Sequence, residues 1–146
     1  MRQAFREVKA RHPFTIEAFV LLPDHIHCVW TLPPDDRDFS TRWMLIKCRF
    51  SRGCKGPAAA QISASRVRKR ESVVWQRRFW EHEIRSERDL AAHVEYVHFN
   101  PVKHAFVKSP ADWPYSSFHR YVRDGIYERD WGADRPVVFD KGIGHE

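Results

Sequence analysis

The segment LPDHIHCVW, residues 22 to 30, places two histidines one residue apart in an otherwise apolar stretch. Side chains alternate along a β-strand, so His25 and His27 would project from one face while Ile26 enters the core. Two imidazoles about 6 to 7 Å apart along the backbone can converge on one divalent ion. Two half-exposed histidines with no ligand are the other interpretation, because such a pair indicates catalysis only with a third ligand and a reaction partner.

A helix predicted for ERDLAAHVEYVHF, residues 87 to 99, offers both missing groups. Ser86 followed by Asp89 is a capping-box-like start. Pro101 disfavours helical geometry at Asn100, so we expect the helix to end near that residue. With 100° between successive residues, a polar stripe holds Asp89, His93, Tyr96 and Asn100, and the neighbouring apolar stripe holds Leu90, Val94 and Val97.

Docking of the apolar stripe on a sheet would bring the polar stripe to the histidine face. Tyr96 and Asn100 are four residues apart and hence neighbours on the helix surface. Tyr96 could then place its hydroxyl beside the imidazoles, and Asn100 could give the same ion a neutral oxygen. A partly buried tyrosine with an asparagine C-cap is the alternative. His93 could relay the tyrosyl proton or be a solvated helix histidine, whereas His98 lies off the stripe and is predicted to be structural.

Charge and aromatic content indicate a nucleic-acid partner. The net charge is +6, and basic residues are concentrated close to Trp75, Phe79 and Trp80. Cations hold phosphates while aromatic faces stack on unpaired bases, so this mixture suits single strands; solubility alone is the other explanation of the charge. The candidates for phosphate contact are Arg66, Arg68, Lys69, Arg70, Arg77, Arg78 and Lys103, and a solvated lysine is the alternative for Lys103.

The length of 146 residues and the 42% hydrophobic fraction predict one folded domain, residues 1–146. We expect a helix at residues 2–12, and a hairpin of the strands FTIEAFVLLP and HIHCVWTL joined at Pro-Asp. Ser40 or Thr41 could cap a second helix that runs to about Cys54. Residues 53–72 are predicted to be a flexible basic arm, and VVWQRRFWEHEIR has strand-like composition. The aromatic and basic segment from Asp112 is expected to form turns and a short helix.

The cysteine content and the hydropathy of the sequence indicate the cellular compartment. Three cysteines without CxxC spacing favour reduced thiols. No apolar run reaches 18 residues, and the N-terminus is charged and amphipathic rather than like a secretory signal. We therefore expect a cytoplasmic protein with no membrane partner.

Four segments together resemble a known family. PDHIHCVW is similar to the His-hydrophobic-His motif of HUH single-strand endonucleases. WQRRFWEHEIRSERD, YVHFNPVKHAFV and DWPYSSFHRYVRDG resemble hallmark segments of the REP-associated tyrosine transposases, relatives of the single-tyrosine insertion-sequence transposases. The motifs stand in the family's order and the resemblance extends over nearly the whole chain, so it is far more specific than His-x-His alone.

The resemblance implies a ferredoxin-like α+β fold of the HUH endonuclease type, an antiparallel sheet with helices on one face. It implies that His25, His27 and Asn100 hold Mg²⁺ or Mn²⁺, and that Tyr96 is the nucleophile that forms a 5′-phosphotyrosine with single-stranded DNA. The implied substrate carries hairpins of repetitive extragenic palindromes (REPs) beside a short guide-like tetranucleotide. The protein would act at the nucleoid in DNA transposition, as a monomer or a homodimer.

Two features of the sequence depart from the family pattern. Ala105 stands where the family usually has glycine, in the turn after the helix that carries the tyrosine. Family members also begin with a β-strand that pairs beside the His-x-His strand, whereas this sequence begins inside the following helix. We therefore expect the family's first strand to be absent before residue 1, with either an upstream start or a decayed copy as the reason.

Three other classes share parts of the pattern. A catalytically inactive or truncated hairpin-binding protein would keep the basic arm and the aromatic residues without the chemistry. A replication initiator or plasmid relaxase uses the same residue types but typically carries further domains, which 146 residues cannot hold. A histidine-triad nucleotide hydrolase would need another alternating histidine where Val29 stands.

Overall fold

The computed structural model describes residues 1–53, 75 and 80–133. In chain order the elements are α1 (Arg2–Arg11), β1 (Thr15–Leu21), β2 (Ile26–Thr31), α2 (Phe39–Gly53), α3 (Glu87–Lys103), a 3₁₀ turn (Pro110–Asp112) and α4 (Phe118–Arg123). The predicted first helix, the hairpin and a short helix in the last segment are confirmed. The phosphate-contact candidates Arg66, Arg68, Lys69, Arg70, Arg77 and Arg78 lie outside the described residues, as does the predicted arm 53–72 apart from Gly53.

Contacts divide the chain into two compact units, Met1–Phe14 with Leu32–Phe79 and Thr15–Thr31 with Trp80–Glu146. In the first unit, Phe5 of α1 packs edge-to-face on Trp43 of α2, with ring centroids 6.0 Å apart. Val8 and Ile46 have no exposed surface. Burial of these apolar faces stabilises the helix pair by about 25 cal/mol per Å² removed from water.

Helix α2 begins one residue before the predicted cap. Asp38 accepts a hydrogen bond of 3.1 Å from the backbone N–H of Thr41, and this bond lowers the pKa of the Asp38 carboxyl. The assignment of the cap to Ser40 or Thr41 was therefore wrong. An aspartate just upstream offers a charged acceptor to the unpaired N–H groups of the first turn, where a negative charge is also favoured by the helix dipole.

In the second unit, β1 and β2 pair antiparallel, with Phe19 opposite Cys28, Val20 opposite His27 and Leu21 opposite Ile26. The turn closes through a hydrogen bond of 2.9 Å from Leu22 N–H to the His25 carbonyl. A third backbone segment pairs with the other edge of β1, where Ser116 bridges Val20. This bridge was not predicted, because a single paired residue leaves no alternating pattern in the sequence.

Helix α3 docks on this sheet through its apolar stripe, as predicted. Val94 and Val97 are buried against four residues of the hairpin, with Leu90 packed at the edge of the cluster; the hairpin residues are Ala18, Val20, Leu22 and Val29. Ser86 caps the helix by accepting a hydrogen bond from Asp89 N–H at 3.1 Å, which confirms the predicted start. The fold class is α+β, an antiparallel sheet with helices packed on it, as predicted.

The C-terminal end of α3 differs from the prediction. The helix does not stop near Asn100 but continues through Pro101 to Lys103. Proline fixes φ near its helical value and removes one N–H, which weakens a helix without forbidding its last turn. The turn is completed by hydrogen bonds from His104 N–H to the Asn100 carbonyl and from Phe106 N–H to the Pro101 carbonyl, 3.0 and 2.9 Å long. The expected end was therefore wrong by about one turn.

Two further expectations concern strands and thiols. Residues 80 to 85, part of the segment with strand-like composition, are irregular. Cys28 and Cys48 are free thiols, and burial raises the pKa of the Cys28 thiol. Within the described ranges, no helix is both long enough and apolar enough to cross a bilayer.

Candidate active site

The two histidines of the opening segment meet at the end of the hairpin. His27 lies on β2 and His25 immediately precedes it, and their rings are 4.9 Å apart at 87°. The His25 side chain is 28% exposed, and its Nδ1–H donates to Asp24 Oδ1 at 2.7 Å. This hydrogen bond is the main cause that lowers the pKa of the Asp24 carboxyl. A neutral His25 that donates through Nδ1 carries its lone pair on Nε2, the tautomer common among histidine metal ligands.

Helix α3 brings Tyr96 to the same face. The Tyr96 ring lies 5.5 Å from the His27 ring, edge-on at 82°, and the residue is only 5% exposed. Asn100, one turn further along the helix, has no exposed surface. The fixed position of Tyr96 follows from the packing of Val94 and Val97 on the sheet, because these neighbours set the rotation of the helix about its axis.

Lys103 contacts the predicted nucleophile directly. Its Nζ donates a hydrogen bond of 2.7 Å to Tyr96 Oη and lies 4.8 Å from the ring centroid. Residues seven apart on a helix differ by about 20° in direction, so the two side chains share a face. A lysine at this place stabilises negative charge on the phenol oxygen.

His104 is a further member of the site that the sequence reasoning missed. It caps the C-terminus of α3, and its ring lies 5.1 Å from the His25 ring. Positions 103 and 104 both continue the Tyr96–Asn100 face, but only if the helix runs past Pro101. The early predicted end of the helix therefore hid His104 and the contact of Lys103 with Tyr96.

His93 belongs to a separate group of rings near the start of α3. Its Nδ1 lies 2.9 Å from both the main-chain carbonyl and the carboxylate of Asp89, and its ring stacks on His82 at 4.4 Å and 11°. His82 in turn stacks on Trp80 and contacts the Asp89 carboxylate at 3.0 Å. The backbone N–H of Arg85 is the main cause that lowers the pKa of Asp89.

The group His82, Asp89 and His93 has potential ligand atoms within 4.8 Å of one another. The two imidazole planes are nearly parallel, however, whereas a bound ion must lie close to the plane of each ring that holds it. One ring would therefore have to turn before both could hold one ion. In the observed arrangement Asp89 accepts a hydrogen bond from each imidazole.

His98 is buried on the opposite side of α3, as expected of a structural residue. It has no exposed surface, and its Nε2 lies 2.7 Å from Ser117 Oγ. Burial, with a smaller effect of the Arg120 charge, lowers the pKa of His98 to about 3. The ring is therefore neutral at physiological pH and ties α3 to the segment that pairs with β1.

Comparison with known proteins gives this arrangement a class. No family model matches the chain. A solved structure of a REP-associated tyrosine transposase bound to a REP hairpin matches 99% of this chain and 77% of its own, with a TM-score of 0.81 and 43% identity. The fold is thus that of a tyrosine transposase.

The sequence comparison narrows the class to a family. The REP-associated tyrosine transposase of Escherichia coli K12 is 46% identical over 134 residues, which cover 92% of this chain and 72% of the relative. A Haemophilus influenzae relative with the same family designation is 44% identical over 133 residues, 91% of this chain and 75% of that one. The chain belongs to the REP-associated tyrosine transposases.

Proposed function

We propose that this protein is a metal-dependent endonuclease and strand transferase acting on single-stranded DNA that carries REP-like hairpins. The observation that carries the proposal is the pairing of Tyr96, 5% exposed, with the His27 ring at 5.5 Å and the Lys103 ammonium at 2.7 Å. Membership of the transposase family and the REP hairpin bound by the solved relative support the substrate class.

Tyr96 Oη is the nucleophile in this proposal. It attacks a backbone phosphorus, the bond from phosphorus to O3′ breaks, and the phenol gives up its proton while the departing oxygen takes one up. The products are a 5′-phosphotyrosine and a free 3′-hydroxyl. A phenol, with a reference pKa of about 10, is a weak nucleophile near neutral pH, so the Lys103 ammonium at its oxygen favours the charged form.

Rejoining is the same step in reverse. The 3′-hydroxyl attacks the phosphotyrosine and the phenolate leaves, so the bond energy is conserved and no ATP is required. Lys103 stabilises the charge on Oη when it leaves as well as when it attacks.

His25, His27 and Asn100 would hold the metal, Mg²⁺ or Mn²⁺. Two imidazole rings 4.9 Å apart could offer such an ion two nitrogen donors, and the buried amide of Asn100 could offer the oxygen donor that Mg²⁺ and Mn²⁺ prefer. Asp24 orients the His25 ring as carboxylates commonly orient metal-binding histidines. A divalent ion bound there would polarise the scissile phosphate and neutralise charge in the transition state.

Further parts of the proposal concern the DNA and the cell. Cationic side chains outside the described residues are proposed to contact phosphates; they are Arg66, Arg68, Lys69, Arg70, Arg77 and Arg78. The contact of Lys103 with Tyr96 supports a role at the scissile phosphate rather than along the duplex. His93 as a proton relay has no such support, because its contacts are with Asp89 and His82. We propose that the protein works at the nucleoid.

The test is the capture of a covalent adduct with a REP-hairpin oligonucleotide labelled at its 3′ end. A 5′-phosphotyrosine retains that label, so wild-type protein incubated with Mg²⁺ or Mn²⁺ should yield a labelled protein band on a denaturing gel. Tyr96→Phe should yield none while it binds the hairpin as the wild type does. EDTA, His25→Ala or His27→Ala should also remove the band.

Tyr127→Phe is the matched control. The Tyr127 ring contacts His98 of α3 at 5.5 Å and stacks on Trp131 at 4.7 Å. Phenylalanine preserves that stacking. This variant should form the adduct normally. A Tyr96→Phe protein that still forms the adduct would exclude Tyr96 as nucleophile, and a wild type that binds the hairpin without any adduct would identify an inactive hairpin-binding protein.

A further inference from the structure

A continuous row of aromatic rings leads away from His25. His104 contacts His25 at 5.1 Å, Phe106 stacks on His104 at 5.9 Å and 21°, and Trp113 stacks on Phe106 at 5.6 Å and 26°. Tyr115 completes the row, edge-on to Trp113 at 6.2 Å. We call His104, Phe106, Trp113 and Tyr115 the aromatic row.

The outer members of the aromatic row are open to solvent. Phe106 is 44% exposed and Tyr115 is 60% exposed. Trp113 links these two exposed rings, and a contiguous exposed apolar patch commonly marks a binding surface. Neither ring is required by the hydrophobic core of this unit, which the hairpin and α3 form, with Trp113 packed against it.

The backbone under the row is fixed. Trp113 Nε1 donates to the Leu21 carbonyl at 2.9 Å, and the Tyr115 carbonyl accepts from Leu21 N–H at 2.9 Å. Phe106 N–H donates to the Pro101 carbonyl, also at 2.9 Å. The row is thus anchored to β1 at one end and to α3 at the other, so a ligand would meet preorganised rings.

Charge and position identify the occupant. Lys103 and Lys108 are exposed on the same stretch of chain, and the whole protein carries a net charge of +6. Flat apolar faces beside cations match the alternating bases and phosphates of a single strand, since every base has a π-face. An acidic peptide would satisfy the lysines but has few flat groups to stack on the rings.

We propose that the aromatic row stacks unpaired bases of the DNA strand next to the phosphate that Tyr96 attacks. The proposal rests on the proposed function for the position of that phosphate. The aromatic row would then be a surface on the His25 side of the site that binds unpaired bases in preference to paired ones. Phe106 and Tyr115 would be the rings that contact these bases.

The test is equilibrium binding by fluorescence anisotropy in EDTA, so that no cleavage interferes. Three probes are compared: a blunt REP hairpin, the hairpin with a short single-stranded extension, and the same extension made of abasic nucleotides, which keeps the phosphates. Base stacking on an aromatic residue corresponds to about a 5- to 150-fold change in affinity per base. Wild type should bind the base-bearing extension more tightly than the abasic one by a factor in that range.

Phe106→Ala and Tyr115→Ala should each lose that preference while they bind the blunt hairpin as wild type does, and Phe106→Tyr should keep it. Ile126→Ala is the matched control, because Ile126 is 61% exposed in the same unit but outside the row. The proposal is overturned if wild type binds base-bearing and abasic extensions equally, if the alanine variants keep the preference, or if they change only the oligomeric state. The proposed function fails separately, through absence of the Tyr96 adduct, because binding in EDTA needs no chemistry.

Discussion

Lys103 and Ala105 both lie shortly after Pro101, and each has a separate effect. The Lys103 ammonium donates to the Tyr96 phenol oxygen at 2.7 Å, which is a charge-assisted geometry once that oxygen becomes negative. Ala105 adopts a φ of +56°, a left-handed conformation in which a Cβ is unfavourable. Lys103 therefore affects the chemical step, and Ala105 affects the stability of the turn that follows α3.

Replacement of the ammonium by an isosteric apolar chain should slow the chemical step. For Lys103→Met we expect the single-turnover cleavage rate to fall about tenfold or more, because a hydrogen bond to a charged group contributes about 1.5 to 3 kcal/mol. Lys103→Arg should restore part of the rate, and Lys108→Met is the control for loss of a nearby positive charge. Unchanged cleavage together with weakened hairpin binding would instead make Lys103 a plain phosphate contact.

The turn at Ala105 gives a prediction about stability. Ala105→Gly should raise the free energy of unfolding by up to about 1 kcal/mol, because glycine adopts a positive φ without the steric cost of a Cβ. Denaturant titration measures the change. Ala91→Gly, at an exposed position inside α3, should lower stability by a similar amount. A loss of stability in both variants would mean that Ala105 is not strained.

At the scale of elements, the hairpin and α3 were largely predictable and the end of α3 was not. Alternation around His25 and His27 indicated the strand, and the 3.6-residue period of Leu90, Val94 and Val97 indicated the docking face. The residue before proline is a statistical helix boundary, so local preference alone could not show that tertiary packing carries the helix on to Lys103. His104 was missing from the predicted site for that reason, and Lys103 was predicted as a phosphate contact but not as a partner of Tyr96.

Helix α3 is also tied to its surroundings by His98, which makes this element sensitive to acid. The pKa of His98 is about 3 in the folded protein and near the ordinary 6.5 in the unfolded chain. Between these values the unfolded chain binds a proton that the folded protein does not, so stability rises with pH across the window and is lost as pH falls through it. The slope from this group is up to about 1.4 kcal/mol per pH unit.

Unfolding free energies at pH 7 and pH 5 measure this contribution. Wild type should lose stability on acidification, and His98→Gln, which has no titrating group, should lose less even if it is less stable at pH 7. His119→Gln is the control, because it removes an exposed histidine in the same way. Equal pH dependence in wild type and His98→Gln would contradict a buried neutral His98.

At the scale of the whole molecule, the motifs of the sequence predicted the family, and their order along the chain mattered more than any one of them. The fold class and family are confirmed by relatives 44–46% identical and by a solved structure with a TM-score of 0.81. Composition indicated a basic protein with a nucleic-acid partner but could not place the aromatic row. Its rings come from two separated turns that meet only in the folded chain, against β1 and the end of α3.

The central claim is that Tyr96 becomes covalently attached to the 5′ end of the cut strand. Protease digestion of the gel-purified adduct, followed by mass spectrometry of the peptide that carries the nucleotide, tests it most directly. We predict a nucleotide-modified peptide with the modification on Tyr96 and a 5′-phosphate link. A modification on any other residue, or a link through a 3′-phosphate, would contradict the account.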